Sequence, residues 1–182
     1  MARMEKGEWA ERLARKHLAH MPRRLAHVAA VARQAARAAA VTDDPELLVV
    51  AAWLHDIGYA PDIAQIGFHP IDGAVFLHNR GASDRLCGLV ANHSCACVEA
   101  RRRGLTIEWP DEDSALRDAL WWADMTTTPT GEVTEIRERI AEVQERYGVE
   151  HIVAQSVLEA APQLIAAAGR TERRIGMRPP VR

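Results

Sequence analysis

At 182 residues, 48% of them apolar and 26% charged, the chain suits one domain with a substantial core and is short for two. A net charge of −2 does not suggest a partner for nucleic-acid polymers, and three cysteines without a CxxC spacing exclude a disulfide framework or a Cys-rich zinc site. The apolar share is mostly alanine, leucine and valine with few aromatics, which favours closely packed helices and an all-α, single-domain bundle. Positive charge gathers in the first forty residues (Arg3, Arg12, Arg15, Arg23, Arg24, Arg33, Arg37) and in the tail from Arg170, on faces suited to solvent or to drawing in anionic substrates. No N-terminal apolar stretch and no apolar run of spanning length is visible, so a cytoplasmic protein that engages no membrane is expected.

Taken in order, the chain predicts a first helix from Gly7 to about His20, broken at Met21-Pro22. Pro22 opens a second helix to about Ala40, with Leu25, Val28, Val31, Ala32, Ala35 and Ala39 at helical spacing and His27 beside the stripe. Asp44-Pro45-Glu46 supplies the start of a third: an N-cap acceptor, proline at the first position and an acid in the first turn. From Leu47 to Leu54 this helix is apolar almost all round, so it belongs in the middle of the domain. It ends Leu54-His55-Asp56-Ile57-Gly58, where Gly58 suits a left-handed C-cap.

Further on, Pro70 opens a helix to about Asn79 that Gly81 ends, and Ser83 caps another leading to Asn92-His93. Residues 101–110 read as a loop with a short extended piece near Leu105-Thr106-Ile107. Ser114 starts a helix through Asp124, and 126–131 is a break. Two last helices are expected, Glu132 to Tyr147 closed by Gly148, and about Val149 to Ala168 closed by Gly169 and interrupted or bent at Pro162. The domain is thus expected over 1–172, with a poorly ordered tail at 173–182.

The chemistry lies in the histidines. Of eight, His27, His55, His69 and His93 fall at helix ends or on apolar-flanked turns, and Asp56 and Asp124 sit in equally apolar text. An isolated His55-Asp56 pair has an equally good structural explanation, the imidazole bonding a carbonyl and the carboxylate capping the next segment. Burying all six without a cation would cost several kcal/mol each. One or two divalent metal ions remove that cost, and His/Asp ligation without thiolate suits Mn, Fe, Co, Ni, Zn or Mg. Cys95 and Cys97, although close to His93, read as small packing thiols, and His17, His20, His78 and His151 as surface or packing residues.

The order of these residues resembles the HD-domain metal-dependent phosphohydrolases: His27 on an early helix, the dyad His55-Asp56 within Leu54-His55-Asp56-Ile57-Gly58, and a distal Ala123-Asp124. Phe68-His69-Pro70-Ile71-Asp72-Gly73-Ala74 is similar to the His-Pro-x-x-Gly-Ala segment of the binuclear branch, and Asn92-His93 falls where that branch supplies its next histidine. The resemblance covers about 23–125 and implies His27, His55, Asp56 and Asp124 around one metal, with His69 and His93 on a second bridged by Asp56; in a one-metal enzyme His69 and His93 would instead touch substrate or cap helices. The Gly-Tyr-Pro signature of the cyclic-dinucleotide phosphodiesterases is absent after His93, and the additional regions of the dGTP hydrolases do not fit this length.

The implied activity is hydrolysis of a small phosphorylated metabolite or nucleotide by metal-activated water. Asp72, one turn after His69, has the spacing of a general acid or base, or of an outer partner to a ligand histidine. Arg23 or Arg24, a turn before His27, can face a substrate phosphate or can simply be a solvated helix start. Arg101-Arg102-Arg103 reads as solvated surface, with substrate steering as its functional alternative, and Trp53, Trp109, Trp121 and Trp122 as core or as pocket wall. Two other classes share the same residues: a di-iron oxygenase of the HD superfamily, and a non-catalytic metal- or nucleotide-binding module.

Overall fold

A computed structural model describes residues 6–177. Its helices are α1 (Lys6–His17), α2 (Pro22–Ala38), α3 (Pro45–Leu54), α4 (His69–His78), α5 (Asp84–Ala91), α6 (Ala96–Arg102), α7 (Ala115–Met125), α8 (Ile136–Tyr147) and α9 (Ile152–Gly176). Among the described residues there is no β-strand, only one isolated bridge between Thr127 and Val133. The all-α reading holds.

The third helix is central, as its composition demands. The Asp44 side chain accepts from Leu47 N at 3.0 Å, Pro45 fills the first turn, and Leu48, Val50, Ala51, Ala52, Trp53 and Leu54 are all buried. It packs against α1, α2, α5 and α7, and small residues such as Ala10, Ala14, Ala35 and Ala119, fully buried, let the backbones come close. Burial of large side chains such as Leu48, Leu54 and Trp121 contributes roughly 1.5–3 kcal/mol each.

Gly58 does not form the expected left-handed cap. Helix α3 ends at Leu54 and the chain passes through His55 and Asp56 into a 3-10 turn, Ile57–Tyr59, that contains Gly58. The glycine is required there by space: a Cβ would lie 2.1 Å from His69 O and 2.6 Å from Gly73 N. This close approach seats the start of α4 against the end of α3 and so brings His69 to the dyad.

Other boundaries differ for tertiary reasons. Residues 96–102, expected to be irregular at their C-terminal end, form α6, which packs on α9; residues 105–108 are irregular rather than paired. Helix α8 begins at Ile136 rather than Glu132, because Glu135 and Glu138 form a capping box and 126–134 folds into a turn held by Thr128 N to Glu132 O (2.8 Å) and Thr134 N to Thr126 O (3.0 Å). Helix α9 runs on through Pro162 and Gly169 to Gly176, so 173–176 is helix rather than tail, and 178–182 lies outside the described residues. Its C-terminal half is tied down by Arg170 and Arg174, which both bond the buried Asp118 of α7. Contrary to the sequence expectation, α9 is long and apolar enough, by length and composition, to cross a membrane. Its apolar face is the one that packs on α6, α7 and α8, burying Ala154, Ala160, Leu164, Ala167 and Ala168.

Candidate metal centre

Six polar side chains from five places in the chain converge beneath a cleft of about 300 Å3. His27 comes from α2, His55 and Asp56 from the end of α3, His69 from the first position of α4, His93 from the exit of α5, and Asp124 from the last turn of α7. His27, His55, Asp56, His93 and Asp124 are buried, and His69 is half-buried.

The hydrogen bonds on the far side of each ring decide what its near side offers. His27 Nδ1 donates to Thr128 O (3.0 Å), His55 Nδ1 to Ala52 O (2.8 Å) and His93 Nδ1 to Val90 O (2.6 Å). A carbonyl can only accept, so in each ring Nδ1 carries a proton, and Nε2 is the nitrogen turned inward, free to ligate a metal once it holds no proton of its own.

Those inward nitrogens meet carboxylate oxygens. Asp56 Oδ2 lies 3.5 Å from His55 Nε2 and 3.8 Å from His27 Nε2, while Asp56 Oδ1 lies 3.2 Å from His69 Nε2 and 3.6 Å from His93 Nε2. Asp124 Oδ1 is 3.0 Å from His27 Nε2 and 3.7 Å from His55 Nε2, and the two Nε2 atoms of His69 and His93 are 3.2 Å apart. His55 Nε2 is fully buried with no hydrogen-bond partner. Acceptors packed this closely repel one another unless a cation lies among them. The donor set therefore fits divalent metal, in three overlapping groups: His27, His55 and Asp56; His55, His93 and Asp124; and Asp56, His69 and His93.

Charge balance points the same way. Burial alone would raise the Asp56 carboxyl, but Arg24, His55 and His69 more than offset it and hold it well below the usual carboxylate range; Asp124 is lowered likewise by His55 and His27 against its burial. Burial pushes His69 and His93 down, which keeps them neutral. For His27 burial is outweighed by the bond to Asp124, and its pKa is raised.

Three contacts around the cluster could not be read from spacing. The Arg24 guanidinium bonds Asp56 Oδ2 and lies 3.9 Å over the Tyr59 ring, which in turn stacks on His69 at 3.9 Å. The Ser94 hydroxyl donates to Asp124 Oδ2. The 126–134 turn, seated on α2 with Gly131 at φ +89° against Ala26 O, delivers the Thr128 carbonyl to His27. No motif marks Tyr59 or Ser94, although each directly follows a segment that carries ligands.

The remaining expectations sort cleanly. Arg24 lines the cleft, whereas Arg23 is exposed and lines an adjoining hollow that shares Arg24 and Arg146 with it. Asp72 is buried but does not line the cleft: its oxygens accept from Ile66 N (3.0 Å) and Gly67 N (3.1 Å), holding the loop before α4. It is neither placed to move a substrate proton nor bonded to a ligand histidine, because backbone donors of the preceding loop lie nearer. Arg101 and Arg102 pair with Glu159 on α9, while Arg103 does line the cleft. None of the tryptophans lines it, so they serve as packing. His17 is buried against Phe76 and bonds Asp62, and His151, read as a surface or packing residue, is exposed but also caps α9 and lines the cleft. Cys95 and Cys97 stand off the cluster, 3.9 Å from each other.

An all-α bundle with a buried His/Asp cluster at the meeting point of its helices defines a metal-site helical protein. The HD domain matches residues 24–124, and the chain belongs to that family, a superfamily of metal-dependent hydrolases. No curated protein and no solved structure matches the chain.

Proposed function

We propose that this protein is a phosphohydrolase that releases phosphate from a small phosphorylated metabolite or nucleotide with divalent metal, one or two ions, which His27, His55, Asp56, His69, His93 and Asp124 would hold. The observation that carries the reading is the division of labour in Asp56: one oxygen faces His27 and His55, the other His69 and His93. When bound, the ions lower the pKa of water towards neutrality and neutralise phosphoryl charge.

The chain's own residues do the positioning. Arg24 is a fixed cation at the cleft floor, held flat by Tyr59, and its fork suits phosphate oxygens. Phe68 and Met125 line the same floor and limit water there. A cleft of about 300 Å3 suits a small metabolite rather than a polymer or a membrane surface.

The test is phosphate release from a panel of nucleoside monophosphates and sugar phosphates by protein stripped of metal and resupplied with Mn2+, Co2+ or Ni2+. Asp56→Ala is expected to lose bound metal and more than about a hundred-fold in kcat, the loss that removing even an outer partner of a metal ligand can cause. Silence across the panel, with two tightly held irons and an O2-dependent spectrum, would make the protein an oxygenase instead. An Asp56→Ala protein with full metal content and activity would overturn both.

A further inference from the structure

Part of the wall of the cleft is built by α8 and the start of α9, outside the 24–124 match. The face that α8 buries is Ile136, Arg139, Ile140 and Val143, helical spacing in which three positions are aliphatic and one is arginine. Arginine is almost never buried unless it is paired. Arg139 is only 8% exposed, and the pairing is incomplete: one terminal nitrogen meets Glu142, while the buried Nε has no acceptor. Arg139 lines the cleft, and Glu142 does not.

The charge lining this part of the cleft is mostly positive, and Arg146 like Arg139 also meets Glu142, at 3.4 Å. Arg103, Arg139 and Arg146 line this outer part, against Glu99 as its carboxylate, and Glu99 already pairs with Arg103 at 2.7 Å. Val143, Val153 and Val157 lie beside them, so the wall combines a short apolar surface with a guanidinium whose buried Nε has no acceptor within the protein. An arginine at such a place recognises a planar or tetrahedral anion through parallel N–H donors.

We infer that Arg139 determines specificity by binding a second anionic group of the substrate, a phosphate or a carboxylate, while the first phosphate lies at the His/Asp floor. This rests on the phosphohydrolase reading and narrows its substrate class to small molecules carrying two anionic groups. Arg24 and Arg139 then divide the work, one at the scissile phosphate and one at the far end.

Binding of phosphonates, which the enzyme cannot hydrolyse, tests this separately from turnover. Calorimetry on Mn2+-supplied protein would compare propylphosphonate with 3-phosphonopropionate and propane-1,3-bisphosphonate, the same chain length with one anion or two. A two-anion probe is expected to bind at least about ten-fold more tightly than propylphosphonate. In Arg139→Gln that advantage should shrink to within about two-fold while propylphosphonate binds as before; Arg103→Gln should keep it. Which of the two dianionic probes gains says whether the second group is a carboxylate or a phosphate. Glu142 is 38% exposed and remains solvated when its partner goes, so the variant is expected to fold; Arg139→Met, which keeps the packed stem, serves otherwise. An equal affinity for all three probes in the wild type, or an advantage that survives at Arg139→Gln, overturns the inference. Failure of propylphosphonate itself to bind would instead count against the phosphohydrolase reading.

Discussion

Ser94 stands at φ 47° and Cys95 at φ 61°, two consecutive non-glycine residues in the left-handed region directly after a cluster histidine. Such a conformation costs about 1–2 kcal/mol per residue and persists only where its surroundings impose it. Here the turn aims His93 inward as α5 ends and lets the Ser94 hydroxyl donate to Asp124. Removing that donor leaves Asp124 less firmly oriented. Ser94→Ala is therefore expected to weaken metal binding about ten- to a hundred-fold with helix content unchanged, measured by competition with a chelator; an unaltered affinity would show that the bond is incidental. At this scale the sequence was legible where a residue's neighbours in the chain supply its reason. His27, His55, Asp56 and Asp124 stand among apolar residues at helix ends, and burial there needs an explanation. Asp72 illustrates the opposite case: its spacing from His69 placed it on a helix face, but free backbone donors of residues 66 and 67 captured the carboxylate. Competition of that kind depends on the loop's path, which residue spacing does not encode.

Among elements, the least legible join is between α7 and α9. The sequence pattern stops α9 at Gly169, yet the helix continues because Asp118, 1% exposed, receives Arg170 and Arg174. Burial alone would raise the Asp118 pKa; the two arginines outweigh it and lower the carboxyl below its ordinary value. A depressed folded-state pKa contributes stability that is present above the unfolded carboxylate value of about 3.9 and is lost as pH falls through the folded one. Asp118→Asn is thus expected to cost about 2–3 kcal/mol at pH 7, roughly 5–10 °C in Tm, and the difference from the wild type should narrow as pH drops below about 4. A penalty independent of pH would assign the effect to packing rather than charge. The start of α8 and the existence of α6 were hidden for a related reason: a capping box that starts the helix at Ile136, four residues after Glu132, and a short helix whose partner is α9 rather than its own periodicity.

Across the whole molecule, a metal ion held at the His/Asp cluster would also act as a stability device. The residues that would hold it come from α2, the end of α3, the start of α4, the turn after α5 and α7, so an ion that binds only the folded chain would tie together elements far apart in sequence. At a hundred-fold excess over Kd such a ligand adds about 2.7 kcal/mol, several degrees in Tm for a chain of this size. Adding Mn2+ or Zn2+ to chelator-treated protein should produce that rise, and Asp56→Asn should abolish most of it. Because His27 holds its proton to higher pH than a free imidazole, protons compete with the ion, and the increment should shrink as pH is lowered and grow as it is raised. A pH-independent increment would place the ion away from His27.

The sequence by itself determined the helical class, the central position of α3 and the set of residues that gather at the cluster, because apolar periodicity, capping residues and buried polar groups are local properties of the chain. Only the tertiary structure decided that Gly58 is needed for contact with α4 rather than for a cap, that Arg24 and not Arg23 enters the cleft, and that α8 covers it with Arg139. Each of these depends on which surface another element presents across a gap of a few ångströms, and a linear pattern of residues carries no record of that neighbour.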